Sequence, residues 1–261
     1  MPVFAANLSM LFTELPFLDR FAAARAAGFR FVEYLFPYDH PAEVLRGLLD
    51  ANGLTQVLFN LPCGDWTAGE RGIAGLPGRE AEFRDGVGRA LSYAATLGVT
   101  RLNCLAGKLP PDADVEEACA VMAGNVAFAA DALAEAGLTL VIEAINHYDM
   151  PGFLLSRTNQ VMALLDAVAR PNVVMQYDVY HAQREEGELA ATIAANLPRI
   201  GHIQVADNPG RHQPGTGEIN YPFLFAELDR LGYAGFVGLE YVPAPDTSGS
   251  LGWIGAMGLA L

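Results

Sequence analysis

Along the chain, short apolar and β-branched runs alternate with longer stretches whose apolar residues recur at helical spacing. The short runs read as strands buried on both faces: Val3–Leu8, Phe29–Leu35, Gln56–Leu61, Arg101–Leu105, Leu138–Glu143, Val173–Asp178, Ile200–Val205 and Phe236–Glu240. Between them the periodic stretches predict helices over Phe17–Ala27, Pro41–Asn52, Arg79–Leu97, Val115–Ala136, Thr158–Ala169, Gly187–Asn196 and Tyr221–Leu231. Several of these helices run into a glycine just before the next strand, as in Ala27-Gly28-Phe29 and Leu97-Gly98, the mark of a left-handed C-cap. Eight strand–helix units, at about 33 residues each, predict an α/β fold of the (β/α)8 barrel type. The alternative is an open doubly wound sheet. No linker, charge block or low-complexity tract divides the chain, so residues 1–261 are expected to form a single domain. The Gly-rich C-terminal segment, Ser250 to Leu261, is the weakest helix, because glycine lowers helix propensity.

In a barrel of this kind the C-terminal ends of the strands carry the chemistry. The fifth strand ends in Glu143, the sixth in Asp178 and the eighth in Glu240, and the seventh carries Gln204 near its end. A carboxylate at the end of an apolar strand is costly unless it is paired, hydrogen-bonded or metal-bound. Three of them converging with an amide oxygen make a hard-oxygen cage suited to Mg²⁺ or Mn²⁺. The competing reading is that each acid caps the following helix or pairs with an arginine. For one residue the two readings are about equal; four equivalent positions in consecutive units favour the cage. His181, three residues past Asp178, is placed to reach the same ligand, and His202 reads as a satisfied core histidine. His147 belongs to a loop, and His40 and His212 read as solvent-facing.

Composition adds a constraint. Asp and Glu number 30 against 16 Lys and Arg, a formal net charge of −14, which argues against nucleic acid as a partner. The cations are nearly all arginine, and Lys108, just past the fourth strand, is the single lysine. Arg211 follows the seventh strand, and Glu70 and Arg71 sit in the long connection from Pro62 to Gly78. Barrel loops of that length are usually functional. Positive charges above a metal rim would bind a substrate carboxylate, so Lys108, Arg71 and Arg211 are candidate substrate ligands, with surface salt bridges as the competing reading. Three cysteines without a C-x-x-C pair, and a start without a signal-peptide pattern, lead to the expectation of a reducing cytoplasm. The charge-free stretch Thr247 to Leu261 is too short and too glycine-rich for a span, so no membrane is expected. There is no P-loop and no Gly-x-Ser-x-Gly elbow.

Eight strings carry a resemblance: Ala-Asn-Leu-Ser-Met-Leu-Phe (6–12), Phe-Pro-Tyr-Asp (36–39), Asn-Leu-Pro-Cys-Gly-Asp-Trp-Thr-Ala-Gly-Glu-Arg-Gly-Ile (60–73), Pro-Gly-Arg-Glu-Ala-Glu-Phe-Arg-Asp-Gly-Val (77–87), Ile-Glu-Ala-Ile-Asn-His-Tyr-Asp-Met-Pro-Gly-Phe (142–153), Gln-Tyr-Asp-Val-Tyr-His (176–181), Ile-Gln-Val-Ala-Asp-Asn-Pro-Gly-Arg (203–211) and Pro-Gly-Thr-Gly-Glu-Ile-Asn-Tyr (214–221). With them the chain resembles the hydroxypyruvate isomerase family, within the xylose-isomerase-like TIM barrel superfamily. The resemblance implies a (β/α)8 TIM barrel, metal ligation by Glu143, Asp178, Gln204 and Glu240, and Glu143 and Glu240 as the catalytic acids and bases. It implies substrate contact by His181 and Arg211; Glu70 and Arg71 are added as substrate-binding candidates from the long loop. Gln204 stands where the wider superfamily often has histidine, and the Gly-rich tail departs from the more charged one expected. The expected activity is isomerisation of a small anionic hydroxy-oxo acid, hydroxypyruvate ⇌ tartronate semialdehyde, through an enediolate and with Mg²⁺ or Mn²⁺. The alternatives are a 2-oxo-tetronate isomerase, separated by pocket depth around Phe12, Phe36 and Trp66, and a sugar epimerase. A metal-dependent endonuclease and a non-catalytic sugar-binding barrel are the readings from other classes. The oligomeric state is open, a homo-oligomer included.

Overall fold

The computed structural model describes residues 2–261. Eight parallel strands close a barrel in sequence order: β1 (Val3–Asn7), β2 (Phe31–Glu33), β3 (Thr55–Asn60), β4 (Arg101–Cys104), β5 (Thr139–Glu143), β6 (Val173–Asp178), β7 (Ile200–Val205) and β8 (Phe236–Leu239), with β8 pairing back onto β1. The barrel is the (β/α)8 form that the periodicity predicts, and each strand falls within two residues of its expected bounds. The outer ring holds α1 (Arg20–Ala26), α2 (Ala42–Asn52), α3 (Glu80–Leu97), α4 (Val115–Glu135), α5 (Thr158–Val168), α6 (Val179–Glu185), α7 (Leu189–Asn196) and α8 (Tyr221–Leu231). Gly53 and Gly98 end α2 and α3 at φ of 60° and 74°, the left-handed cap a side chain would strain. At the start of α4, Asp114 accepts hydrogen bonds from the backbone N–H groups of Glu116 and Glu117.

Three local features differ from the sequence expectation. A short helix, α6, follows β6 directly where no helix was expected, and His181 lies in its first turn. The C-terminal segment forms two short helices, α9 (Thr247–Ser250) and α10 (Gly252–Ala256), in place of one running to Leu261. His40 and His212 are half-buried: His40 stacks on Phe17, and His212 Nδ1 lies 2.8 Å from the Val242 carbonyl oxygen. The one described helix long and apolar enough to cross a membrane is α4, which packs here between α3 and α5.

Side chains inside the barrel are sorted by height. The floor is apolar, built from Ala5, Val57, Leu58 and Val141 against Phe31, Val174 and Phe236. Above it lies a polar layer centred on Glu33, which is fully buried. Glu33 Oε1 accepts from Asn7 Nδ2 at 3.0 Å and Gln204 Nε2 at 2.8 Å, and Oε2 lies 2.7 Å from His202 Nε2. His202 is thus a buried core histidine, as expected, but only Nε2 is satisfied; Nδ1 has no hydrogen-bond partner.

Gly238 on β8 leaves room for this carboxylate; a Cβ there would collide with Glu33 Oε1 and come within 2.6 Å of its Cδ. Three tethers keep Glu33 from swinging away. Gly238→Ala is therefore expected to destabilise the fold by about 1–3 kcal/mol. The urea midpoint measures this, and an unchanged midpoint would show that Glu33 is free to move.

Candidate active site

The barrel mouth gathers the acids of three strands. Glu143 closes β5, Asp178 closes β6 and Glu240 directly follows β8; all three are buried. On a closed ring of eight, β5 and β8 stand three strands apart, so Glu143 and Glu240 face each other across the mouth. Each acid is held from below by a neutral amide or backbone N–H. Glu143 Oε2 accepts from Gln176 Nε2 at 3.0 Å and Asn103 Nδ2 at 3.3 Å. Glu240 Oε1 accepts from Asn7 Nδ2 at 3.4 Å. Asp178 Oδ1 caps α6, accepting from Tyr180 N–H at 2.7 Å and His181 N–H at 3.1 Å.

Arg211 reaches in from the loop after β7. Its Nη2 lies 2.7 Å from Glu240 Oε2 and 3.8 Å from Asp178 Oδ2, with the guanidinium over the Tyr180 ring. Its φ of 56° is unusual for a residue other than glycine, and the Val242 N–H holds its carbonyl at 2.7 Å. His181 completes the group, with Nε2 3.9 Å from Asp178 Oδ2. A cavity of about 180 Å³ opens among Glu143, Glu240, His181, Arg211, Arg71 and Trp66. The rest of its wall is largely apolar, with Met10, Leu35, Leu105, Ile145 and Met150.

The remaining candidates fall into two groups. Arg71 lines the cavity, its guanidinium 3.8 Å from the centre of the Trp66 ring, which in turn packs on Phe36. Gln204 sits one layer below the mouth, fully buried; its Oε1 accepts from Gln176 at 2.6 Å while its Nε2 donates to Glu33. Glu70 and Lys108 do not line this cavity. Glu70 is spent inside its own loop, accepting from Arg79 Nη1 at 2.7 Å and from the Asp65 N–H at 2.5 Å. Lys108 is exposed and forms an isolated antiparallel backbone bridge with Phe153. Phe12 is also away from the cavity, packed against Phe29. Glu33 and Asn146 are the residues sequence reasoning missed: Glu33 sits inside the apolar run expected to continue to Leu35 but closes the observed β2, and Asn146 lies on the loop after β5.

Crowding like charges in a dry mouth has a measurable consequence. Burial pushes the Glu143 carboxyl well above the ordinary carboxylate range, and Glu240 and Asp178 push it further. Burial likewise lifts Glu240 to about 8 against the pull of Arg211. Burial also lowers His181 to about 4, against the pull of Asp178, so the ring is neutral at pH 7. One guanidinium does not balance three carboxylates. Asp178 Oδ2 is buried without a hydrogen-bond partner, and Glu143, Asp178 and His181 offer ligand atoms within 4.8 Å of one another. The cluster fits a divalent cation, with Glu240 and Gln204 flanking it.

A family model described as xylose isomerase-like TIM barrel matches residues 21–257. A 2-oxo-tetronate isomerase from Cupriavidus necator is 54% identical over 254 residues, covering 97% of this chain and 98% of its own. A hydroxypyruvate isomerase from Escherichia coli is 51% identical over 251 residues, covering 96% and 97%. A crystal structure titled AP endonuclease, family 2, from Brucella melitensis superimposes with a TM-score of 0.96 at 45% identity, covering 98% of this chain and 99% of that one.

Metal-stripped protein is expected to lose stability as pH rises. A carboxyl whose folded value is raised binds its proton more tightly when folded, so stability is full near the ordinary value of 4.5 and falls as pH climbs towards about 8. Melting temperature in EDTA should drop between about pH 4.5 and about pH 8, and Mn²⁺ should restore more of it at the higher pH. A melting temperature blind to both pH and Mn²⁺ would contradict the charge crowding described above.

Proposed function

The chain belongs to the xylose isomerase-like TIM barrel family, and we propose that it interconverts hydroxypyruvate and tartronate semialdehyde, with Glu143 and Glu240 as the proton-transferring pair. Relatives aligned over nearly its whole length are named isomerases, and this chain is an isomerase with them. The observation that carries the reading is the pair of buried glutamates facing each other across one cavity. Such a pair suits moving a proton between adjacent carbons of a planar intermediate.

One glutamate removes a proton from C3 of hydroxypyruvate, leaving a 2,3-enediolate. The partner, or the same residue after rotation, delivers a proton to C2, while the C3 hydroxyl proton passes to the C2 oxygen, leaving the aldehyde at C3 and the hydroxyl at C2. A raised carboxyl value makes the conjugate carboxylate a stronger base towards carbon. Arg211 and His181 bind the oxygens of the reacting carbons, and Arg71 on the Trp66 face meets the substrate carboxylate. Glu143, Asp178, Glu240 and Gln204 would hold Mg²⁺ or Mn²⁺, which supplies Lewis-acid polarisation of the substrate oxygens when bound. The partner of this site is thus a small anionic acid, in a cytoplasmic setting.

The apolar wall disfavours a long polyol, because each sugar hydroxyl buried against it would lose its water partners. That argues against a ketohexose epimerase. The four-carbon acid is the second reading, favoured by the name of the relative from Cupriavidus necator. Nuclease chemistry suits the site poorly, since the mouth brings three carboxylates and a single histidine together.

A panel of hydroxypyruvate, 2-oxo-tetronate, ketopentoses and ketohexoses, with metal-stripped and Mg²⁺- or Mn²⁺-restored enzyme, tests the substrate. Turnover of the short acids alone is expected. Glu143→Gln should lower kcat by at least about a thousand-fold while the circular dichroism spectrum is kept. Product formed in D₂O should carry carbon-bound deuterium; unlabelled product would point to a hydride shift instead. Near-wild-type activity in the Glu143 variant would overturn the assignment.

A further inference from the structure

Asn146 lies on the loop after β5, fully buried beside His181. Its side-chain Nδ2 sits 2.6 Å from His181 Nδ1, and its backbone N–H points at the same ring nitrogen from 3.5 Å. The amide is not free to turn over. The Asp149 backbone N–H donates to Asn146 Oδ1 at 2.9 Å, and Asn146 Nδ2 donates to Asp149 Oδ2 at 3.1 Å. A flipped amide would set oxygen against carboxylate and NH₂ against N–H. Asp149 is itself fixed by the Tyr180 hydroxyl and by Arg184 Nη1, both at 2.8 Å. Two donors therefore converge on His181 Nδ1, and that nitrogen has to accept. A proton on Nδ1, in the other neutral tautomer or in the imidazolium, would face the hydrogens of the amide.

We infer that Asn146 is a positioning residue that fixes His181 as the tautomer protonated on Nε2, so that the ring offers the substrate a hydrogen-bond donor. The tautomer of a histidine is set by the bond its other nitrogen makes, and here that bond is made by Asn146. Proximity alone groups His181 with Glu143 and Asp178 as a ligand cluster. A protonated Nε2 has no lone pair for a cation, so the hydrogen bonds separate His181 from the two carboxylates. What the ring gives instead is a neutral donor on the cavity wall, placed to meet an oxygen that gains negative charge. The use of this donor in turnover rests on the isomerase reading; the tautomer does not.

The test is long-range ¹H–¹⁵N correlation on the full-length protein labelled with ¹⁵N-histidine, with His181 assigned by its loss in His181→Gln. The wild-type ring is expected to carry its proton on Nε2 and none on Nδ1. Asn146→Asp replaces the donor with an acceptor of the same shape. It should move a proton onto Nδ1 and lower kcat by about a hundred-fold, with KM within about three-fold. The double variant N146D/D149N removes the new carboxylate pair while keeping the acceptor, and should show the same tautomer and the same kcat. Mn²⁺ affinity of His181→Ala should stay within about three-fold of wild type. A wild-type His181 protonated on Nδ1 overturns the inference. So does an Asn146→Asp protein with unchanged tautomer and kcat, or a His181→Ala protein that loses Mn²⁺ binding. If the tautomer is as expected and no short acid is turned over, the activity reading falls and the role of Asn146 stands.

Discussion

Three carboxylates share one dry barrel mouth with a single guanidinium, and the rest of the interior is arranged around that imbalance. Glu143, Asp178 and Glu240 are each over nine-tenths buried, and Arg211 is the cation within reach of two of them. Such a group is costly to assemble in low dielectric. Arg211 is charged because Glu240, Asp178 and Glu143 favour its protonated form against the opposing cost of burial. The loop that delivers it accepts a left-handed backbone to do so.

The layer beneath the mouth stabilises the acids without adding charge to them. Asn7, Asn103, Gln176 and Gln204 are amides that bond a carboxylate or another amide, and they link Glu33 to both Glu143 and Glu240. Amides suit this position because each can donate on one side and accept on the other, so a chain of them passes orientation along without a buried ion at every link. Glu33 is the exception, and His202 beside it and the missing side chain of Gly238 are its accommodation. Above this layer Glu240 Oε2 is held by Arg211, and Asp178 Oδ2 is left without a hydrogen-bond partner.

Period and punctuation were enough to find the barrel, because each strand is a short apolar run and many helices end at glycine. Glu143, Asp178 and Glu240 were legible for the same reason: a charged residue closing an apolar run stands out, and barrel topology puts all such ends on one rim. Glu33 was not legible. Its strand is three residues long, and a carboxylate there looks like the solvent side of an edge until the ring closes over it. Asn146 reads as one polar residue among several in a loop, and its meaning lies in a ring 35 positions away. Helix α6 was missed because its cap, Asp178, was read for its chemistry; the same carboxylate does both, with Oδ1 on the backbone and Oδ2 towards the mouth. The place of Lys108 was not legible, because a sequence says which residue follows a strand but not where the turn puts it; here it is exposed and bridges to Phe153.

The net charge of −14 looks hostile to an anionic ligand, yet distance and dielectric decide otherwise. Charges scattered over the surface are screened beyond about 8–10 Å at ordinary ionic strength. Inside the cavity the nearest groups dominate, because water is scarce and fields are strong. There Arg71 is steadied on the Trp66 face and Arg211 on Tyr180, two cations whose aromatic supports cost them no charge. The loop that carries Trp66 and Arg71 is in turn braced by the Glu70–Arg79 pair. Glu70 thereby helps to place the Arg71 guanidinium on the cavity wall. The overall acidity then describes the outside of the barrel, and the local order of arginines and aromatics describes what its mouth can hold.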